Sequence, residues 1–405
     1  MDNERRVAIS VLNEINQEGA YNNIALRRAL DERPEWKPHQ RAFVTELVNG
    51  TLRNQLFIDY IINNFSKKTS SKKMKPFIRE LLRTAVYQIK WMDKVPPSAA
   101  VNEAVKLARA SGFEALSGFV NGILRNIVRA YESDSLPEPD SLGLRYSFPK
   151  WLADRLTEEF MAKSHIPPPV TVCVNRLKTT PEALAREFEN CTISGDCLHL
   201  RRVSNLTAIE PFRKGHFFVM DEGAYLAACA VQAKPGQKIL DLCAAPGGKS
   251  FALAGIMENC GEIISCDIHP HKIRLMKKMA SRLSISCIKA EERDASIINP
   301  AWEGLADAVL LDAPCSGLGV IRKRPDIKYT KTEKDIVRLA EFQRSLLTTA
   351  AAYVKPGGAL VYCTCTLTKE ENEDNVMWFL QNFPYNQDGN FIRHEGFFIA
   401  RLIRK

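Results

Sequence analysis

Lys238-Ile239-Leu240-Asp241-Leu242-Cys243-Ala244-Ala245-Pro246-Gly247-Gly248-Lys249-Ser250 is the stretch on which the fold turns. An apolar run of strand length passes directly into a turn of small residues with two glycines, and helical spacing begins after it. Small residues let the backbone approach a ligand closely, and the amides at the helix start face it. The pattern then repeats. Apolar runs at 262–267, 286–290, 306–312 and 359–365 alternate with helical stretches at 249–257, 270–283 and 333–354. Strand–helix–strand repetition with nearly continuous apolar strands predicts a mainly parallel sheet covered on both faces, which binds ligands at the carboxyl ends of its strands.

Upstream the character changes. Residues 141–214 are mixed: 151–160 has helical spacing, Pro167-Pro168-Pro169 breaks it, and 170–174 alternates into a strand ending at Asn175-Arg176, which predicts a small α/β insert. The segment 131–140, YESDSLPEPD, is acidic and poor in apolar residues, as a linker is. From residue 3 to about 130 apolar residues recur at helical spacing, as in Val7, Val11, Leu12 and Ile15, with Pro34, Pro38, Pro76 and Pro96-Pro97 between the helical runs. The expected organisation is a helical bundle over 1–133, a linker and small α/β subdomain over 134–214, and the parallel-sheet domain over 215–405.

The 405 residues are 45% apolar and 25% charged, the balance of a globular chain and not of a disordered one. No run nears the roughly 18 apolar residues of a membrane span, and MDNERRVAIS lacks the layout of a secretory signal, so a cytoplasmic chain with no membrane partner is expected. Eleven Cys without paired spacing read as reduced thiols, and seven His form no zinc pattern with them, so no metal is expected. Nothing demands more than a monomer. Residues 1–133 hold 21 Lys and Arg against 14 Asp and Glu, whereas the remainder holds 35 against 33. A basic front suits a polyanion such as nucleic acid and equally a merely solvated surface. The same two readings apply to Lys67-Lys68 and Lys72-Lys73-Met74-Lys75.

Three cofactors could use the 243–250 turn. A phosphate-binding loop fits Gly248-Lys249-Ser250 but needs glycine at 243, which is Cys; the Gly-x-Gly-x2-Gly spacing of dinucleotide sites is absent. The remaining candidate is S-adenosylmethionine, whose ribose hydroxyls want a carboxylate after the second strand, where Asp267 stands; Asp294, after the third, could accept from an adenine amino group. Strand four ends in Asp312-Ala313-Pro314-Cys315-Ser316-Gly317 and strand five in Tyr362-Cys363-Thr364-Cys365-Thr366. In a parallel sheet both open on one rim, so a carboxylate and two or three thiols converge there, which favours a nucleophile.

The stretches 241–250, 312–317 and 362–366 resemble motifs I, IV and VI of the RNA cytosine-5 methyltransferases, continued by Gly319-Val320-Ile321-Arg322-Lys323-Arg324-Pro325-Asp326-Ile327-Lys328 and Gly396-Phe397-Phe398-Ile399-Ala400-Arg401-Leu402. Residues 96–105, PPSAAVNEAV, and 119–125, FVNGILR, resemble the helical domain of the antitermination factor NusB. Together the halves are similar to the bacterial RsmB (Sun/Fmu) branch, which implies a NusB-like bundle, a Rossmann-like class I methyltransferase domain and methylation of a cytosine in small-subunit (16S) ribosomal RNA. The resemblance implies Cys365 as the thiol that adds to cytosine carbon 6, Cys315 as the residue assisting release, Asp312 at the cytosine N3 edge and Lys249 orienting cofactor and base. It also implies an S-adenosylmethionine site of Cys243, Ala244, Ala245, Pro246, Gly247, Gly248, Lys249, Asp267, Asp294 and Asp312. Arg322, Lys323, Arg324 and Lys328 beside the rim, with Asn175 and Arg176, are expected as RNA clamps. The chain departs from the family at Cys363, where Ser or Ala is common, at 219–224, and in a short stretch at 382–395. A non-catalytic RNA-binding or ribosome-assembly factor that kept the fold is the alternative.

Overall fold

The computed structural model describes residues 4–66, 69–201 and 205–405; Lys67-Lys68 lie outside the described residues. The chain divides into two compact units, one of residues 1–167 with 321–330, the other of 168–320 with 331–405. This partition differs from the expected one, since the short helices that follow the acidic linker, and a ten-residue segment from beyond strand four, pack with the helical bundle.

Among the described residues of the first unit the long helices are, in order, α1 (Glu4–Glu18), α2 (Asn22–Asp31), α3 (Pro38–Arg53), α4 (Gln55–Phe65), α5 (Pro76–Trp91), α6 (Pro97–Ala110) and α7 (Glu114–Glu132). Proline opens α3, α5 and α6, where a missing N–H costs nothing. The i, i+3, i+4 residues of α1 are buried in one core with Leu47, Val48, Leu81, Val86 and Leu124, each such side chain contributing about 1.5–3 kcal/mol. At the centre α3 approaches α5 so closely that a Cβ on Gly50 would overlap the ring of Tyr87. The helix expected over 151–160 is two short ones, Lys150–Ala153 and Glu158–Lys163; Thr157 caps the second by accepting from the Phe160 amide.

The second unit opens with a four-stranded antiparallel sheet, β1 (Val170–Val174), β2 (Cys191–Ser194), β3 (Cys197–Leu200) and β4 (Phe217–Val219), in the order β2-β3-β1-β4. The main sheet comprises β5 (Lys238–Asp241), β6 (Glu262–Asp267), β7 (Ile288–Glu292), β8 (Ala306–Asp312), β9 (Val354–Thr364), β10 (Tyr385–Gln387), β11 (Ile392–His394) and β12 (Phe397–Arg404). Its order is β10-β12-β9-β8-β5-β6-β7, with β11 on β12. β7, β6, β5, β8 and β9 are parallel, and β10 to β12 run antiparallel to their neighbours. Because β5 pairs with β6 on one side and β8 on the other, the strand order reverses at β5, which opens a crevice above the carboxyl ends of these strands. Among the described residues no helix is long and apolar enough to cross a membrane, and no group of His, Cys, Asp or Glu could hold a metal ion.

Candidate active site

The floor of the crevice is the turn between β5 and the helix Gly248–Ile256. Gly247 caps that helix at φ +107°, and a Cβ there would lie 2.6 Å from Phe251 Cζ, so only glycine fits. Below the turn Asp241 is fully buried, its Oδ2 accepting from Ser250 Oγ at 2.6 Å while Oδ1 has no hydrogen-bond partner. Burial pushes its carboxyl up to about 7, against the pull of Ser250 and Lys249.

Lys249, in the first turn of the helix, is buried, and its Nζ donates to Asp312 Oδ2 at 2.6 Å. Burial opposes its charge, but Asp312 and the neighbouring Cys363 outweigh burial and raise its pKa above the ordinary lysine value. The Phe397 ring lies 5.7 Å from the same nitrogen. Asp312 closes β8 in register with Cys363 of β9, whose buried thiol donates to Asp312 Oδ1 at 3.5 Å. Burial first, then the Asp312 charge, pushes the Cys363 thiol well up.

Just beyond these two strand ends the sulfurs of Cys315 and Cys365 stand 3.2 Å apart, and the Cys365 amide donates to Cys315 Sγ at 3.3 Å. Both residues are half-buried. The hydrogen bond with Cys365 and then burial raise the Cys315 pKa well above that of a free thiol. The Cys365 carbonyl accepts from the Gly319 amide at 3.0 Å, and Gly319 packs back to back with Gly396, where a Cβ on either would overlap the other's backbone. The expected residues Lys249, Asp312, Cys315 and Cys365 thus form one cluster, with Cys363 beneath it.

Around the turn, Cys243 is half-buried and its thiol raised by burial. Ala244 donates its amide to the Cys266 carbonyl of β6 at 2.8 Å, the Ala245–Pro246 peptide is cis, and Pro246 is exposed. Asp267 ends β6 half-buried, accepting from the His269 amide at 2.9 Å with Lys272 at 3.7 Å. Asp294 is exposed and closes its own turn by accepting from the amide and hydroxyl of Ser296.

Two expected RNA clamps are internal instead. Asn175 is buried, its side-chain amide donating to the carbonyls of Gly215 and Leu283, so it braces β1 against neighbouring loops. Lys328 is fully buried in the helical unit, donating to the Arg53 carbonyl at 2.8 Å beneath the Phe148 ring. Its neighbours Ile327 and Tyr329 draw it inward, and a polyanion has no route to the amine. Arg322 donates to the Ile166 carbonyl, Lys323 and Arg324 are exposed, and Arg176 pairs with Asp196 at 2.6 Å while keeping 60% of its side chain exposed.

Asp241 and Phe397 are absent from the site residues expected from the sequence. Asp241 is legible as an acid at the buried end of an apolar strand; Phe397 lies in the 396–402 stretch that carries the resemblance, but nothing local there places its ring beside Lys249.

A family model described as "16S rRNA methyltransferase RsmB/F" matches residues 228–402, and the NusB family model matches residues 2–129. The "Probable ribosomal RNA small subunit methyltransferase B" of Bacillus subtilis (strain 168) is 37% identical over 94% of this chain and 88% of its own length. "Ribosomal RNA small subunit methyltransferase B" of Shewanella oneidensis is 32% identical over 93% of this chain and 90% of its own. Among solved structures, that of PH0851 superposes with a TM-score of 0.84 at 27% identity, covering 99% of this chain and 98% of that one. NSun6 from Pyrococcus horikoshii, solved with SFG, shares the fold at TM-score 0.56 and 23% identity, covering 64% of this chain and 98% of that one. A NusB-like helical region joined to a Rossmann-like methyltransferase domain, with relatives of this similarity along nearly the whole chain, makes the protein a member of the RsmB/F family of 16S rRNA methyltransferases.

Proposed function

We propose that this member of a family of S-adenosylmethionine-dependent small-subunit rRNA methyltransferases methylates carbon 5 of a cytosine through a covalent adduct on Cys365. The observation that carries the reading is the pair of thiols 3.2 Å apart at the rim, next to the Lys249–Asp312 ion pair. Carbon 5 of cytosine is a poor nucleophile until a thiolate adds to carbon 6 and makes the ring an enamine. S-adenosylmethionine, when bound, would supply carbon 5 with an electrophilic methyl group, its sulfur leaving as the neutral thioether.

Cys365 forms the sulfur–carbon 6 bond. The Cys315 and Cys365 sulfurs, 3.2 Å apart, can share one proton, so that one sulfur stands as the thiolate while the other carries the proton. Once carbon 5 carries the methyl, its proton leaves to water, the electron pair restores the 5,6 double bond, and the Cys365 thiolate departs; Cys315 promotes both the loss of that proton and the elimination. Asp312, held by Lys249, would lie at the N3 edge of the base and accept a hydrogen bond from the proton that N3 takes up from water as the thiolate adds, so that the ring becomes a neutral enamine. Since a stacked base cannot expose both faces, the cytosine is taken unstacked or from a loop.

The residues present fit the cofactor. The glycine turn leaves no Cβ in the way, and the unsatisfied buried Oδ1 of Asp241 is an acceptor for a donor-bearing ligand such as an amino-acid ammonium. Cys243 to Gly248 would cradle that part, Asp267 the ribose and Asp294 the adenine, while Arg322, Lys323, Arg324 and Arg176 would meet phosphates.

Transfer of labelled methyl from S-adenosylmethionine to small-subunit RNA tests the reading. Cys365→Ala is expected to abolish transfer, and Cys315→Ala to leave an RNA adduct that survives denaturing gels. A Cys365→Ala enzyme with full turnover would overturn the nucleophile assignment, and absence of any transfer by the wild type would leave an RNA-binding factor.

A further inference from the structure

Behind the two thiol loops lies a charge that the chemistry above does not use. Glu371 is fully buried at the end of the loop that follows β9. Its Oε1 accepts from the Ser316 amide at 2.8 Å and from Gln343 Nε2 at 3.0 Å, and its Oε2 from Ser316 Oγ at 2.5 Å and Thr368 Oγ1 at 2.7 Å. Thr366 Oγ1 stands 3.3 Å from the same oxygen and 2.6 Å from Ser316 Oγ, so its proton is shared between the two. Gln343, from the helix Glu333–Tyr353, also donates to the Pro314 carbonyl at 2.9 Å. The next residue, Asn372, donates to the Thr366 carbonyl at 3.0 Å and accepts from Thr364 Oγ1 at 2.6 Å.

The connectivity matters more than the number of bonds. Ser316 directly follows Cys315, Thr366 directly follows Cys365, and one carboxylate binds both of them. A buried carboxylate that loses its donors incurs the desolvation penalty of a bare charge, so the loops cannot separate without leaving it exposed to that cost. We infer that Glu371 is a positioning residue which fixes the spacing of the Cys315 and Cys365 sulfurs, and so governs how fast the RNA adduct is resolved. The inference rests on the assignment of those two thiols above.

A glutamine at 371 keeps one acceptor oxygen but puts an amide N–H₂ where the other stood, so the hydroxyls of Ser316, Thr366 and Thr368 must turn round to accept, and the loops lose their shared anionic acceptor. Displacement of about 1 Å at a reacting centre costs on the order of 100-fold in rate. Full-length Glu371→Gln, given S-adenosylmethionine and unmodified small-subunit RNA, is expected to transfer methyl about 10- to 100-fold more slowly. It is expected to bind the cofactor as the wild type does and to accumulate severalfold more covalent RNA adduct on denaturing gels, an adduct that disappears in Cys365→Ala/Glu371→Gln. Glu371→Asp, which keeps the charge, should recover part of the rate.

A merely structural residue would lower thermal stability and cofactor binding together, with no rise in adduct, and that result overturns the inference. So does a folded Glu371→Gln that turns over normally while Cys365→Ala is dead. A Cys365→Ala that still turns over overturns the thiol assignment instead. Should Glu371→Gln not fold, Ser316→Ala removes one hydroxyl donor from the carboxylate and is read by the same adduct assay, with the same two outcomes.

Discussion

Among the described residues two lysines lie buried, one in each unit, and they have opposite electrostatics. Lys249 meets a carboxylate, Asp312, at 2.6 Å, and its charge is stabilised in spite of burial. Lys328 meets the backbone carbonyls of Arg53 and Tyr146 and the Phe148 ring; burial, reinforced by the Arg53 guanidinium, pushes its pKa well below the ordinary value. Burial alone therefore says little about role. A cation kept charged by a carboxylate at the rim of a parallel sheet is poised for electrostatic work, whereas one held by neutral oxygens in a helical core is a packing element with a polar tip.

The contrast breaks most visibly at Lys249. Replacing it with Met keeps the volume and removes the charge, leaving Asp312 without its cation. Loss of one preorganised charge at the reacting centre costs about 10²- to 10³-fold, and label transfer from S-adenosylmethionine should fall by that factor. Asp312 keeps about a third of its side chain exposed, so water softens the accompanying stability loss. A Lys249→Met enzyme within tenfold of wild type would place Lys249 beside Lys328 as packing.

The same two residues mark how far the sequence could be read. β6 and β8 and the helix Pro270–Leu283 fall on the residues expected, because strands buried on both faces leave continuous apolar runs and an amphipathic helix leaves a clean stripe. Motif spacing brought Lys249, Asp312, Cys315 and Cys365 to one rim, since topology alone sets where parallel strands end. Lys328 misled because it closes the basic run Ile321-Arg322-Lys323-Arg324-Pro325-Asp326-Ile327-Lys328, in which the apolar Ile327 and the adjoining Tyr329 were the sign of burial. Glu371 was invisible for a tertiary reason. It stands in Lys369-Glu370-Glu371-Asn372-Glu373-Asp374, which looks like a solvated helix start, and donors distant in the chain, the Ser316 amide and hydroxyl and Gln343 Nε2, join the hydroxyls of Thr366 and Thr368 in turning it inward. The threonines at 366 and 368 are a trace of it: two buried hydroxyl donors just past a strand end need an acceptor.

Asp241 sharpens the comparison from the acid side. Its carboxyl is raised to about 7 in the folded state, so the stability it contributes is fully present below the ordinary range near 4 and is lost as pH rises through about 7. Asn has the same shape and no charge. In cofactor-free protein the melting temperature of Asp241→Asn relative to wild type should therefore climb between pH 5 and pH 8. With S-adenosylmethionine the order reverses: a charge-assisted hydrogen bond to the unsatisfied Oδ1 is worth about 1.5–3 kcal/mol, so Asn should weaken cofactor binding at least about tenfold at pH 8 and less at pH 6. Equal affinities at both pH values would mean that the buried oxygen meets no cationic donor.

The smallest effect is expected at Lys328, and its sign is the informative part. Met removes the donor to the Arg53 carbonyl, which costs about 1–3 kcal/mol, and gains apolar contact with Phe148 in return for a desolvated amine. The net loss at pH 7 should be about 1 kcal/mol. Because the folded pKa of Lys328 is depressed, the wild type binds fewer protons folded than unfolded at this site, and its stability rises as pH climbs toward the ordinary lysine value. Met carries no such dependence. Thermal unfolding of wild type and Lys328→Met at pH 7 and pH 10 should show the gap widening in favour of the wild type at the higher pH. A gap that narrows instead would mean that Lys328 keeps its proton in the core, and that carbonyl oxygens can hold a buried charge as Asp312 holds that of Lys249.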